Sequence, residues 1–112
     1  MSYTIKKTTI FLTRGDTFKA QLSLTNEEGQ PYEPQEGDVI RFACKKDYSD
    51  PDTEVLIVKE VPLNTLILEL EPSDTKELAF GNYVYDIQLT TVAGEVDTFI
   101  TKGILTLTEE VY

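Results

Sequence analysis

The chain has no histidine and no tryptophan, and its only cysteine is Cys44. The missing histidine removes the commonest general base and the commonest metal ligand. It also excludes a catalytic Cys–His pair. A lone cysteine cannot form a disulfide within the chain, so the fold is not a disulfide scaffold. Long apolar runs are missing too. The longest aliphatic run, Val55 to Val58, is far too short to span a bilayer as a helix. Met1 to Lys7 lacks the apolar segment of a secretory signal, so the chain is expected to be made and folded in a cytoplasm.

Positive charge is scarce. Ten Lys and Arg stand against 20 Asp and Glu, for a formal charge of −10. A duplex-binding domain needs a basic patch, so direct nucleic-acid binding is disfavoured. The same sign opposes adsorption to anionic lipid, and no membrane partner is expected. The charge favours solubility and a basic partner.

What the chain does have is alternation. Its 112 residues suit a single domain, 1–112, large enough to close a core without staples. Hydrophobic residues at 40% and charged residues at 27% exclude global disorder. Gly81 to Leu89 organises the rest. Tyr83, Tyr85, Ile87 and Leu89 share one parity, and Val84, Asp86 and Gln88 the other, so the stretch predicts a central strand with one buried face.

Before it, residues 4–12 predict a first strand with Thr8, Ile10 and Leu12 on one face. Arg14-Gly15-Asp16 turns the chain. Residues 17–25 alternate without a break: Phe18, Ala20, Leu22 and Leu24 against Lys19, Gln21, Ser23 and Thr25. A turn at 26–30, with Gly29 free to take positive φ, leads to a Pro31–Gly37 loop whose prolines prevent helix. The third strand, 38–46, puts Ile40, Phe42 and Cys44 on one face. Its other face, Val39, Arg41, Ala43 and Lys45, is mixed and predicts partial cover. Strands four and five cover 54–61 and 65–71, with Leu66, Leu68 and Leu70 inward. Pro72 to Leu78 predicts one short helical turn between strands five and six. After the central strand, Val92–Glu95 makes a hairpin, and the last strand runs from Val96 to Leu107 with a bulge marked by Gly103.

Seven alternating strands with these turn signals predict an all-β fold, an immunoglobulin-like β-sandwich, with a small barrel as the alternative. Tyr83 occupies the place of the tyrosine that anchors the corner before the sixth strand in such sandwiches. Tyr85 stands where an antibody domain carries its second cysteine, so the likeness concerns topology only.

Few residues invite chemistry. Arg14-Gly15-Asp16 matches the integrin tripeptide, but Gly and Asp suit a tight turn for geometric reasons alone. Asp47, Ser49, Asp50, Asp52 and Glu54 carry oxygen ligands, yet Pro51 intrudes and the spacing is not that of an EF-hand. That loop reads as solvated, and Cys44 as a small buried hydrophobe. The carboxylate pairs Asp86 with Glu95, and Asp38 with Asp16, lie on strand faces or turns without a sugar platform. Asp86 interrupts a strong strand, either as an exposed or cross-strand-paired residue or as a contact at a subunit interface. Tyr32, Tyr48 and Tyr112 fall in loops or the tail, where aromatics serve as interface anchors. No residue is assigned a catalytic, cofactor-binding or metal-binding role, and no enzyme activity or cofactor is expected.

Three segments carry a resemblance. They are Phe11 to Phe18 with Glu28-Gly29-Gln30-Pro31, then Gly37 to Phe42, then Gly81 to Leu89 with Gly94-Glu95-Val96. The chain resembles tail and baseplate proteins of bacteriophages and prophages of Gram-positive bacteria, and is similar to the N-terminal domain of baseplate upper proteins. The resemblance spans nearly the whole chain but rests on turn and strand punctuation. In that family the domain usually heads a longer protein, whereas this chain ends at Tyr112, so a receptor-binding or trimerising part is expected to be missing. The resemblance implies a non-enzymatic virion component, produced in the bacterial cytoplasm. It would assemble with other virion proteins or as a homo-oligomer. Residues 4–12 and 96–107 are the strands expected to offer free edges, so prolines at Thr8 or Thr106 should block assembly without unfolding the monomer. The alternative is a small acidic binding protein or inhibitor that targets a basic host factor. A carbohydrate-binding sandwich ranks below it for want of tryptophan, and an enzyme ranks last.

Overall fold

The computed structural model describes residues 3–6, 9–23 and 33–109. The fold is all-β. Its strands are β1 (Tyr3–Lys6), β2 (Thr9–Thr13), β3 (Phe18–Gln21), β4 (Val39–Lys45), β5 (Ile57–Val61), β6 (Ile67–Leu70), β7 (Gly81–Thr90) and β8 (Val96–Thr108). One short helix, α1 (Pro72–Thr75), lies between β6 and β7. Six strands form one sheet in the order β1-β2-β8-β7-β4-β5, and β3 pairs with β6 in a second.

The central strand is where the alternation put it. β7 runs antiparallel to both β4 and β8, and Tyr83, Tyr85, Ile87 and Leu89 are all buried. Its inward residues face those of β4 in register: Ile40 opposite Leu89, Phe42 opposite Ile87, Cys44 opposite Tyr85. The β3–β6 ribbon adds Phe18, Leu68 and Leu70, which join the same core. From the other flank come Ile10 and Leu12 on β2, and Leu105 and Leu107 on β8. Two sheets thus share one apolar core, each contributing every second residue.

Among the described residues the seven expected strands appear as eight. Residues 4–12 do not form one strand: β1 folds back antiparallel on β2, with Tyr3 opposite Leu12 and Lys6 opposite Thr9. Thr8 lies outside the described residues, as do Leu24, Thr25 and the turn and loop residues 26–32. β3 ends at Gln21, and beyond it the Leu22 N–H still donates to the Leu66 carbonyl at 2.7 Å. Leu66 takes φ +55, which no alternation pattern reveals, and β6 begins only after it. β5 starts at Ile57 rather than residue 54, because Asp52–Glu54 coils into a 3₁₀ turn.

The expectation that the first and last strands are both free edges needs correction. β2 runs parallel to β8, with Thr9 opposite Ile104 and Thr13 opposite Thr108, while β7 covers the other side of β8. Thr106 therefore sits inside the sheet, paired with Phe11 and Asn82. A proline there would remove hydrogen bonding from an interior strand and damage the monomer itself. The outer strands of this sheet are β1 and β5.

Gly103 has a reason beyond a bulge. The β7–β8 ladder does shift register next to it, from Tyr85–Gly103 to Ile87–Ile100, so β8 carries an extra residue there. The closer constraint is steric: a Cβ added at this glycine would collide with the Tyr85 ring at Cζ, Cε2 and Cε1.

Candidate functional site

The corner before β7 absorbs the residues that looked most like a motif. The Tyr83 hydroxyl donates to the Ala79 carbonyl at 2.7 Å, tying the strand to the chain that enters it. Arg14 Nη1 donates to the Leu78 carbonyl at 3.0 Å, and the guanidinium stacks 4.1 Å from the centre of the Phe80 ring. Gly15, at φ +84, donates its N–H to the buried Thr75 hydroxyl at 2.8 Å. The Arg-Gly-Asp turn is thereby clamped onto α1, with its arginine committed within the chain. Thr75 gave no sign of this role in the sequence, because its partner lies 60 positions away.

Asp74 serves the same corner. One of its oxygens accepts from the Glu71 N–H at 2.7 Å and meets the Lys59 ammonium at 2.9 Å. Lys59 sits on the inward parity of outer strand β5, a placement that discourages further strand pairing.

The paired carboxylates do not meet in a catalytic geometry. Asp38 is buried and accepts from the Gln35 N–H at 2.8 Å. It stands at the start of β4, beside the end of β7. Asp16 belongs to the turn beside the start of β7, where Arg14 bonds Thr108. The ten-residue length of β7 separates those two ends, roughly 30 Å at strand rise. Asp86 is mid-strand, whereas Glu95 closes the hairpin beyond Thr90 through Thr91 N–H to Glu95 carbonyl, 2.8 Å. Cys44 is fully buried, and burial pushes its thiol up to about 12, so it stays protonated and inert at neutral pH.

The acidic loop is organised by its own hydrogen bonds. Asp50 Oδ2 accepts from the Asp47 N–H at 3.1 Å, and Asp52 Oδ1 accepts from the Lys45 ammonium at 2.7 Å. That bond, with the Lys45 charge, holds the Asp52 carboxyl below its usual range. Among the described residues no three acidic or cysteine side chains converge as a metal site.

The surface with unabsorbed features is the outward face of the six-stranded sheet. The mixed outward residues of β4 predict partial cover, and Val39, Ala43 and Lys45 are half-buried there. An apolar stripe crosses five of the six strands, one residue on each: Phe11, Ile104, Val84, Ala43 and Val58. Ile104 is paired with Val84 and Ala43 with Val58, and the remaining steps are diagonal. Phe11 is 36% exposed, Ile104 38% and Val58 50%. Each breaks the polar parity of its own strand, and only assembly of the sheet lines them up.

Where the stripe crosses β4, β5 and β7 the face sinks into a cavity of about 540 Å³, open to solvent. Val58, Val84 and Ala43 supply its apolar lining, Arg41 and Lys45 its cations, and Asp86 and Asp52 its anions. Tyr48, 49% exposed, stands beside it. Burial pushes the Asp86 carboxyl above its ordinary value; Lys45 opposes the shift and Asp52 adds to it. Partial burial, then the Asp86 charge, raises the Tyr48 hydroxyl. Tyr32 and Tyr112, the other two suggested anchors, lie outside the described residues. No family model and no curated protein matches this chain.

Proposed function

We propose that the protein is a non-enzymatic structural component of a phage or prophage tail or baseplate, located in the virion and acting through protein–protein assembly. The observation that carries this is the apolar stripe across the outward sheet face, which a sheet needing only its own core has no reason to build. The segment likeness to tail and baseplate proteins supplies the setting. For the fold, we take the immunoglobulin-like sandwich as the finer reading. It is supported by the parallel β2–β8 pair, by the crossing that puts β3 and β6 in the opposite sheet, and by the Tyr83 corner.

The alternative, a small acidic inhibitor that meets a basic host factor with an anionic face, is less well supported. Cations are interleaved with the acids, as in Lys45–Asp52, Lys59–Asp74 and Lys19–Glu69, so the carboxylates do not make an unbroken anionic face.

The test is sedimentation velocity from micromolar to millimolar concentration, on the protein and on Val58→Lys and Ile104→Lys. A discrete oligomer that both substitutions disperse, with circular dichroism unchanged, is the expected result. A monomer at every concentration overturns self-assembly through this face.

A further inference from the structure

We propose that the cavity on the outward face of β4, β5 and β7 receives a lysine or arginine side chain from a basic segment of a different protein, with Asp86 as its counter-ion. This deepens the assembly reading, on which it rests for the occupant being a protein.

Asp86 sits mid-strand on β7, flanked by two residues, Tyr85 and Ile87, that are buried on the opposite face. Its cross-strand neighbour on β4 is Ala43, which offers it nothing polar. Among the described residues its carboxylate accepts no hydrogen bond and joins no ion pair within 4.0 Å. The cation that acts on it, Lys45, is already engaged: its ammonium donates to Asp52 Oδ1 at 2.7 Å and to the Asp50 carbonyl at 3.0 Å. A partly desolvated carboxylate without a partner opposes folding, so its place in the strand is not explained by stability.

The surroundings fit a long cationic side chain. Val58, Val84 and Ala43 can cover an aliphatic stem, while the charged head reaches Asp86. Tyr48 lines the same cavity, near enough to feel the Asp86 charge, and supplies an aromatic ring to it. The volume of about 540 Å³ exceeds what one side chain needs, leaving room for flanking residues of the same segment.

Charge selects the occupant. The chain carries −10 overall, so a basic segment is attracted to it. Arg41 lines the same cavity one diagonal step from Asp86, opposite Glu60 on β5 and Gln88 on β7, and joins it in no ion pair within 4.0 Å.

The test is an amide chemical-shift titration with two capped tripeptides, acetyl-Val-Arg-Val-amide and its citrulline counterpart, which has the same shape without the charge. The arginine peptide should shift the amides of Ala43, Val58, Val84 and Asp86 saturably, and bind at least about tenfold more tightly than the citrulline peptide. Asp86→Asn should remove that preference, while Glu69→Gln, which removes an equal charge on the other sheet, should leave it intact. Non-saturating shifts spread over the acidic surface would overturn the proposal, as would a preference that survives in Asp86→Asn. The two readings fail separately. An oligomer that Val58→Lys disperses but Asp86→Asn does not, without arginine preference, keeps the assembly reading and removes this one.

Discussion

Replacing Gly103 with alanine sets two physical terms against each other. Gly103 lies in β8 and does not occupy the left-handed region, so the backbone itself would accept alanine. Chain entropy then favours the substitution by about 0.5–1 kcal/mol, because alanine restricts the unfolded state. Sterics oppose it. The new Cβ would lie 2.4 Å from Tyr85 Cζ, 2.6 Å from Cε2 and 2.8 Å from Cε1, where carbon contacts prefer about 3.5–4.0 Å. The Tyr85 ring has no easy retreat. It is 3% exposed, and its centre lies 5.1 Å from that of Phe42. Overpacking of this kind costs about 1–3 kcal/mol, and rigid ring atoms argue for the upper end. The net loss is about 2 kcal/mol. For 112 residues the unfolding entropy converts this to a fall in Tm of about 8 °C. Thermal melts by circular dichroism read it directly. Adding Tyr85→Leu should make the Gly103→Ala step nearly free, although Tyr85→Leu is itself costly. Gly94 is the control: at φ +89 with nothing within 4 Å, its alanine variant suffers backbone strain alone, about 1 kcal/mol, and Tyr85→Leu should not change that. A Gly103→Ala protein as stable as the parent, or a loss untouched by Tyr85→Leu, would refute the reasoning.

Tyr83→Phe removes the 2.7 Å bond to the Ala79 carbonyl and should lower stability by about 1 kcal/mol in urea titrations, with the slope unchanged. Arg14→Ala loses the Leu78 hydrogen bond and the stack on Phe80. It should cost about 1–2 kcal/mol, and integrin-dependent cell adhesion to the parent protein would contradict the clamped turn. The Cys44 thiol, pushed up to about 12 by burial, should ignore a disulfide reagent at pH 8 until denaturant opens the core; rapid labelling of the native protein would count against its burial. Asp86→Asn should raise Tm at neutral pH. Burial sets the folded carboxyl above its ordinary value, so the ionised form opposes folding, and that penalty fades as pH falls through the raised value. The variant's advantage should therefore disappear in acid, and an advantage that grows in acid would reverse the sign.

Much of the fold was legible because strand alternation is a local property. Tyr83, Tyr85, Ile87 and Leu89 share a face by period two alone, and all four are buried. The helical turn at Pro72 and the hairpin turn at Gly94 were legible for the same reason, since proline geometry and a glycine at positive φ act within a few residues. Composition likewise bore directly on what an absent histidine and a lone cysteine exclude.

Tertiary structure decided what depends on distant pairs. The split of residues 4–12 into β1 and β2 follows from β2 finding β8 as a parallel neighbour, a contact some 95 positions away. Leu66 turns to positive φ while its carbonyl holds Leu22, and Gly103 is required because Tyr85 folds onto it. The apolar stripe is the clearest case. On its own strand each of Phe11, Val58, Val84 and Ile104 is a single break in a polar face, and single exposed apolar residues are ordinary. Sheet order and register, which no local pattern specifies, set them side by side, with Val58 and Val84 in the cavity that holds Asp86.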